Sequence, residues 1–179
     1  MSSPSAKMLV FASGHLACVK IAGRANFTSS IDFKTLFNEL LDKGYTCLVL
    51  DLAECVLMDS TFLGVLAGFG LRMSVAAGAG NSPSIELLNP NARVADLLEN
   101  LGVMHLFRVV KGPLELPPQS SAAAEAPVDS SPTKDEVTRN CLEAHQTLMS
   151  INPANVTKFK DVAAFLAEDL KKAKPASGV

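Results

Sequence analysis

Residues 47–52, Cys-Leu-Val-Leu-Asp-Leu, form a run of strand length in which only Asp51 is charged at neutral pH. A strand with one wet face alternates apolar and polar side chains. A run that does not alternate reads as a strand covered on both faces, the habit of parallel sheets. Parallel strands are joined by long crossovers, usually helices, so this hexapeptide calls for a helix on each side of it in sequence. Upstream, residues 31–41 place Phe33, Leu36, Phe37, Leu40 and Leu41 at helical spacing, and Gly44 follows where a helix end favours glycine. Downstream, residues 62–75 repeat Phe62, Leu66, Phe69 and Met73 every three or four positions.

The flanks extend the pattern. Residues 8–12 and 15–21 read as two short strands about the Ser13-Gly14 turn, a hairpin. Residues 84–88 supply another strand. Asn89-Pro90 then opens a helix, with Asn89 as the cap and Pro90 in the first turn. Val94, Leu97, Leu98 and Leu101 form its stripe, Gly102 ends it, and residues 107–110 give a last strand. The order β-β-α-β-α-β-α-β predicts an α/β fold: a mixed, mostly parallel sheet covered by helices, with right-handed crossovers.

Composition changes at residues 113–132, PLELPPQSSAAAEAPVDSSP, which are too poor in large apolar groups to repay their ordering and read as a linker. They divide a domain at 6–112 from a tail at 133–174. Thr133 and Glu136 fit a capping box, and Val137, Cys141, Ala144 and Leu148 mark one helical face. Asn152-Pro153 starts a second helix lined by Val156, Phe159, Val162, Phe165 and Leu166. Two amphipathic helices need a surface for their stripes. This hairpin is therefore expected to dock on the first domain, on a partner, or on its own copy in a homodimer.

Several function classes lose support. The formal net charge is -2, and Lys171, Lys172 and Lys174 form only a short terminal cluster, so direct nucleic-acid binding is disfavoured. Residues 1–7 lack the features of a signal peptide. The longest apolar stretch, 62–77, is Gly-rich and broken by Arg72, so no membrane insertion and a soluble, cytosolic protein are expected. Cys18, Cys47, Cys55 and Cys141 make no CxxC pair and read as reduced structural thiols. His15, His105 and His145 are widely separated and read as ordinary turn or helix-surface residues rather than metal ligands. Phosphate-loop, nucleophile-elbow and zinc-protease motifs are missing from the sequence, and Gly68, Gly70, Gly78 and Gly80 do not make a dinucleotide fingerprint. No enzyme activity and no cofactor are expected.

The informative segment is 49–69, VLDLAECVLMDSTFLGVLAGF. A buried strand ends at Asp51-Leu52, a short loop with the apolar anchor Val56-Leu57-Met58 follows, and a helix begins at Asp59-Ser60-Thr61. Ser60 then lies at or beside the helix N-cap, where a hydroxyl can accept an amide bond. Free amides and the dipole at a helix N-terminus also accommodate added negative charge, so a phosphate on Ser60 could form there without unfolding the domain. Any apolar helix can begin with Asp-Ser, however, and position alone does not separate a cap from a phosphoacceptor.

Taken together, Val49-Leu50-Asp51-Leu52, Met58-Asp59-Ser60-Thr61 and Leu63-Gly64-Val65-Leu66 resemble the signature of the STAS family, and most of all its bacterial anti-sigma factor antagonists. Gly23, where the family often carries a glycine after the second strand, and Asn89 to Gly102 add weaker agreement over roughly residues 8–111. The resemblance implies a non-enzymatic switch. Ser60 would be phosphorylated by an anti-sigma factor serine kinase and reset by a serine phosphatase, with Thr61 a secondary acceptor and Asp59 an acidic neighbour. Unphosphorylated, the protein would sequester the kinase and so regulate transcription indirectly, Asp59, Ser60, Thr61, Phe62 and Leu63 forming the partner-binding edge. Phe62 stands where the family usually has Gly, which puts a large apolar group near that edge. It fits either a distinct partner or the alternative reading, a non-phosphorylated scaffold or dimerisation module acting through the C-terminal helices.

Overall fold

A computed structural model describes residues 6–76, 85–113, 124–125 and 131–173. Strands β1 (Lys7–Ser13) and β2 (Leu16–Ala25) form the expected hairpin, with Gly14 at a φ of 57° in its turn. Then follow α1 (Phe27–Asp42), β3 (Cys47–Asp51), β4 (Cys55–Met58), α2 (Ser60–Ala76), β5 (Ile85–Leu88) and α3 (Ala92–Asn100). A 3-10 turn (Met104–Leu106), β6 (Arg108–Val110), β7 (Ala124–Glu125), α4 (Lys134–Ile151) and α5 (Ala154–Ala173) complete the order. The sheet runs β6-β5-β3-β2-β1-β7, with β4 also paired to β2. Pairing is parallel from β6 to β2 and between β2 and β4, and antiparallel at β1 with both neighbours.

Strand β4 corrects the expected loop at Val56-Leu57-Met58. The ten-residue β2 outlasts the five-residue β3, whose pairing stops at Lys20↔Asp51. The free end of β2 takes a second parallel partner from Gly23↔Cys55 to Ala25↔Met58, with a register shift at Gly23. Gly23 therefore lies within β2 rather than after it, at a φ of 96°. The start of α3 also differs from expectation. Asn91, not Asn89, is its cap, the side-chain oxygen accepting the Val94 amide at 3.0 Å. Asn89 takes a left-handed φ of 53°, which asparagine tolerates better than most residues, and its side chain pairs with both main-chain groups of Gly112.

Alternation in the strands separates two cores. Ala17, Val19, Ile21, Leu48, Leu50 and Leu52 join the large helix-covered core. Cys18, Val49 and Leu88 point the other way, into a small cluster with Phe11, Leu16 and Val110 that contains no helical residue. On the helical side Phe33, Phe37, Phe62 and Phe69 interlock, with centroid separations of 4.7–4.8 Å along the chain Phe62–Phe33–Phe37–Phe69.

Of the surfaces open to the hairpin, it uses the first domain: α4 packs on α2 and α1. The expected apolar face is covered in part, and polar side chains are buried with it. Thr138, Asn140, Ala144, His145 and Leu148 are buried, while Val137 and Cys141 are only partly so. The capping box forms as expected, Thr133 and Glu136 exchanging bonds at 2.7 and 3.2 Å. Helix α5 is turned by polar anchors. Asn155 donates to the Leu101 carbonyl at 2.9 Å and Lys158 to that of Asn100 at 2.8 Å, supplying donors to the carbonyls that end α3. Phe159 reaches the core, but Val156, Val162 and Phe165 of the expected stripe are exposed, Phe165 to 69%.

Candidate functional site at the carboxyl ends of β2 and β4

Because β2 and β4 are parallel and end together at Ala25↔Met58, the helices that follow them begin side by side. Asp59 ties the two starts. Its amide donates to the Ala25 carbonyl at 2.9 Å. One carboxylate oxygen accepts the Phe62 amide at 2.8 Å, and the other accepts the Phe27 amide at 2.7 Å. Asp59 therefore caps α2 and holds the first turn of α1, and Ser60, expected at or beside the cap, is the residue beside it. Burial pushes the Asp59 carboxyl above its ordinary pKa, against a downward pull from the amides of Phe62, Phe27 and Thr61 and from His145.

Relieved of capping, Ser60 stands in the first turn of α2, with its hydroxyl aimed at the hairpin. Its Oγ lies 3.1 Å from Nε2 of His145 on α4. Either atom can donate, depending on the imidazole tautomer. His145 is not a helix-surface residue: it is 7% exposed and its ring lies 4.9 Å from that of Phe159. Burial pushes its pKa down, opposed by the Cys141 carbonyl and the Asp59 carboxylate. Thr61 is buried, and its hydroxyl faces the Cys141 sulfur at 3.8 Å. Burial also raises the Cys141 thiol.

Phe62 and Leu63, expected on a docking edge, have no exposed surface and belong to the core. The cap geometry explains the reversal. With Asp59 bonded to the Phe62 amide, Phe62 faces inward in the first helical turn and packs 4.7 Å from Phe33. The expected edge therefore separates. Asp59 and Ser60 are partly accessible, and Thr61, Phe62 and Leu63 are covered.

Other residues meet at the site without having been singled out for it. Asn140 of α4 donates to the Ser30 hydroxyl of α1 at 2.8 Å. A side chain at Gly64 would put its Cβ 2.5 Å from the Ala144 carbonyl oxygen, so α4 crosses α2 where glycine leaves room. The spacing of Gly64 and Gly68 on one helix face was the available signal for that crossing. Nothing comparable marked His145 or Asn140, since polar helix residues usually face water. Among the described residues no group of three or more His, Cys, Asp or Glu could hold a metal, and no helix is long and apolar enough to cross a membrane.

The model of the STAS domain family matches residues 7–115. Among solved structures, a candidate anti-sigma factor antagonist from Thermotoga maritima, TM1081, shares 22% identity at a TM-score of 0.51. The likeness covers 59% of this chain and 86% of that one. The anti-sigma factor antagonist SpoIIAA in its unphosphorylated form shares 16% identity at a TM-score of 0.50, over 60% of this chain and 88% of its own. At these identities the likeness is one of fold. No curated protein matches the chain.

Proposed function

Since the chain belongs to the STAS domain family, we propose that it is an anti-sigma factor antagonist of the bacterial cytoplasm, a protein-binding switch controlled by phosphorylation of Ser60. The observation that carries this reading is the placement of Ser60. Its hydroxyl occupies the first turn of α2, directly after the Asp59 cap, at the edge where two parallel strands deliver their helices. A helix N-terminus favours an anionic group there, and a phosphate adds roughly one and a half to two negative charges. Unphosphorylated, the protein sequesters an anti-sigma factor serine kinase. Phosphorylated, it releases the kinase until a serine phosphatase resets it. The chain itself performs no catalysis in this cycle.

The test is intact mass and phosphopeptide mapping of the protein isolated from its native host, wild type beside Ser60→Ala. A single phosphate on Ser60 that vanishes in the variant is the expected result. Absence of phosphate across growth and stress conditions would sink the switch.

A second reading is favoured by the bond between Ser60 and His145. In it Ser60 is a structural hydroxyl and the protein is a scaffold. The exposed Val162 and Phe165 of α5 would then pair with a second copy. Light scattering of the wild type against Phe165→Ser separates this reading from the first.

A further inference from the structure

We propose that the α4–α5 hairpin is a removable cover of the Ser60 face, so that closure of the hairpin and phosphorylation of Ser60 exclude each other. The proposal rests on the reading of Ser60 as a phosphoacceptor and adds the regulation of that site.

Space is the first argument. The 3.1 Å between Ser60 Oγ and His145 Nε2 is hydrogen-bonding distance, so a phosphorus atom and its oxygens cannot stand between the two side chains. Next to it Thr61 faces Cys141 and Gly64 packs on Ala144, so α4 lies close along the first two turns of α2. In the transfer, the Ser60 O–H bond and the terminal P–O bond of a nucleoside triphosphate break and an Oγ–P bond forms. The proton passes to a base of the kinase and the nucleoside diphosphate leaves. The donor must approach Oγ in line with its leaving oxygen, from the side where α4 now lies.

Charge is the second. A phosphate on Ser60 would join the desolvated carboxylate of Asp59. The basic side chains that line the α1–α2–α4 groove are engaged, Lys34 with Glu143 at 3.0 Å and Arg72 with Asn38 at 3.2 Å. His145, the group that faces Ser60, is held toward its neutral form by burial and so offers the new charge little.

The cover is also built to come off. Beside the apolar contacts of Ala144, Leu148 and Phe159, it is held by polar contacts that water can replace: Asn140 to Ser30, Lys34 to Glu143, Asn155 to Leu101 and Lys158 to Asn100. Oδ1 of Asn140 and Oδ1 of Asn155 are buried without a partner, and Nδ1 of His145 lacks a well-formed one. Such atoms weaken the closed state. A pocket of about 140 Å³ remains between α1, α2 and α4. Residues 113–132 tether the hairpin, so an opened cover stays at a local concentration on the order of millimolar and closes again once the phosphate is gone.

The experiment installs phosphoserine at position 60 of the full chain by genetic encoding, with Ser60→Ala and phosphoserine at the exposed, distant Ser74 as controls. N-ethylmaleimide labelling of Cys141, read peptide by peptide, and amide exchange of α4 report opening. Phosphoserine at 60 is expected to speed Cys141 labelling at least about tenfold over both controls and to remove protection from α4, while β2 and β3 stay protected. Asn155→Ala, which removes a far anchor, should open the cover without phosphate. Equal labelling in the phosphoserine-60 and Ser60→Ala proteins would overturn the proposal. Loss of protection in β3 together with α4 would overturn it too, since the phosphate would then unfold the domain. Because the phosphate is installed, the outcome is independent of whether the host modifies Ser60, and the two ideas can fail separately.

Discussion

Asp59 holds the amide of Phe27, 32 residues upstream, at 2.7 Å, and with its other oxygen it caps the helix that carries Ser60. One carboxylate thus fixes two helix starts. Asp59→Ala should lower unfolding stability by about 2 kcal/mol, the sum of a lost cap and a lost charged hydrogen bond, and Asp59→Asn by less. Urea denaturation measures both. A change under about 0.5 kcal/mol in the alanine variant would mean that the carboxylate does not join the helices.

Gly64 and Gly68 lie one turn apart on α2 and should respond oppositely to alanine. At Gly64 the new methyl would meet the Ala144 backbone at 2.5 Å, an overpacking worth about 1–3 kcal/mol of destabilisation. At Gly68 the nearest contact is an ordinary 3.7 Å to Thr147, and the better helix former should stabilise by up to about 1 kcal/mol. Thermal melts of the two full-length variants should bracket the wild type.

Closure of the hairpin should weaken below neutral pH. His145 has its pKa lowered in the closed state, so the open state binds more protons below the ordinary value of 6.5. The stabilisation from neutral His145 is complete above that value and is lost as pH falls toward the depressed pKa. Asp59, raised above its ordinary 3.8, acts oppositely but only at lower pH, where its carboxylate takes up a proton. Amide exchange of α4, corrected for intrinsic rates, should show protection decreasing between about pH 7.5 and 5.5. His145→Gln should flatten that dependence. A profile equally steep in the variant would assign the effect to another group.

Phe62→Ala should be costly even though the position lies close to Ser60, the proposed phosphoacceptor. The ring is fully buried against Phe33, and removing it should destabilise by about 3–5 kcal/mol. A cost below about 1 kcal/mol would restore the expectation that Phe62 faces a partner.

What the sequence made legible was local in origin. The apolar run at 47–52, the helix-ending Gly44 and Gly102, and the Thr133–Glu136 box each act within a few residues, and each is found where expected. The errors have non-local causes. Residues 55–58 are too short to declare themselves a strand, and they become one only because β2 has an unpaired end. Asn89 is the expected cap, but its side chain is taken by Gly112, 23 residues away, and Asn91 caps the helix instead. Asn140 and His145 look like surface residues because their partners, Ser30 and Ser60, lie 110 and 85 positions away. Ser60 could be singled out from its motif, whereas the group that faces it could not.

Strand β7 is two residues long, yet it lies along Leu9 and Val10 of β1 at the margin of the sheet. A sheet margin with open main-chain groups is a template on which another molecule can add a strand. The opposite margin, β6, has only three residues and offers little length to copy. Main-chain pairing at β7 therefore acts as a guard against edge-to-edge aggregation. Proteolysis between residues 113 and 132 would then threaten solubility as well as the attachment of the C-terminal helices.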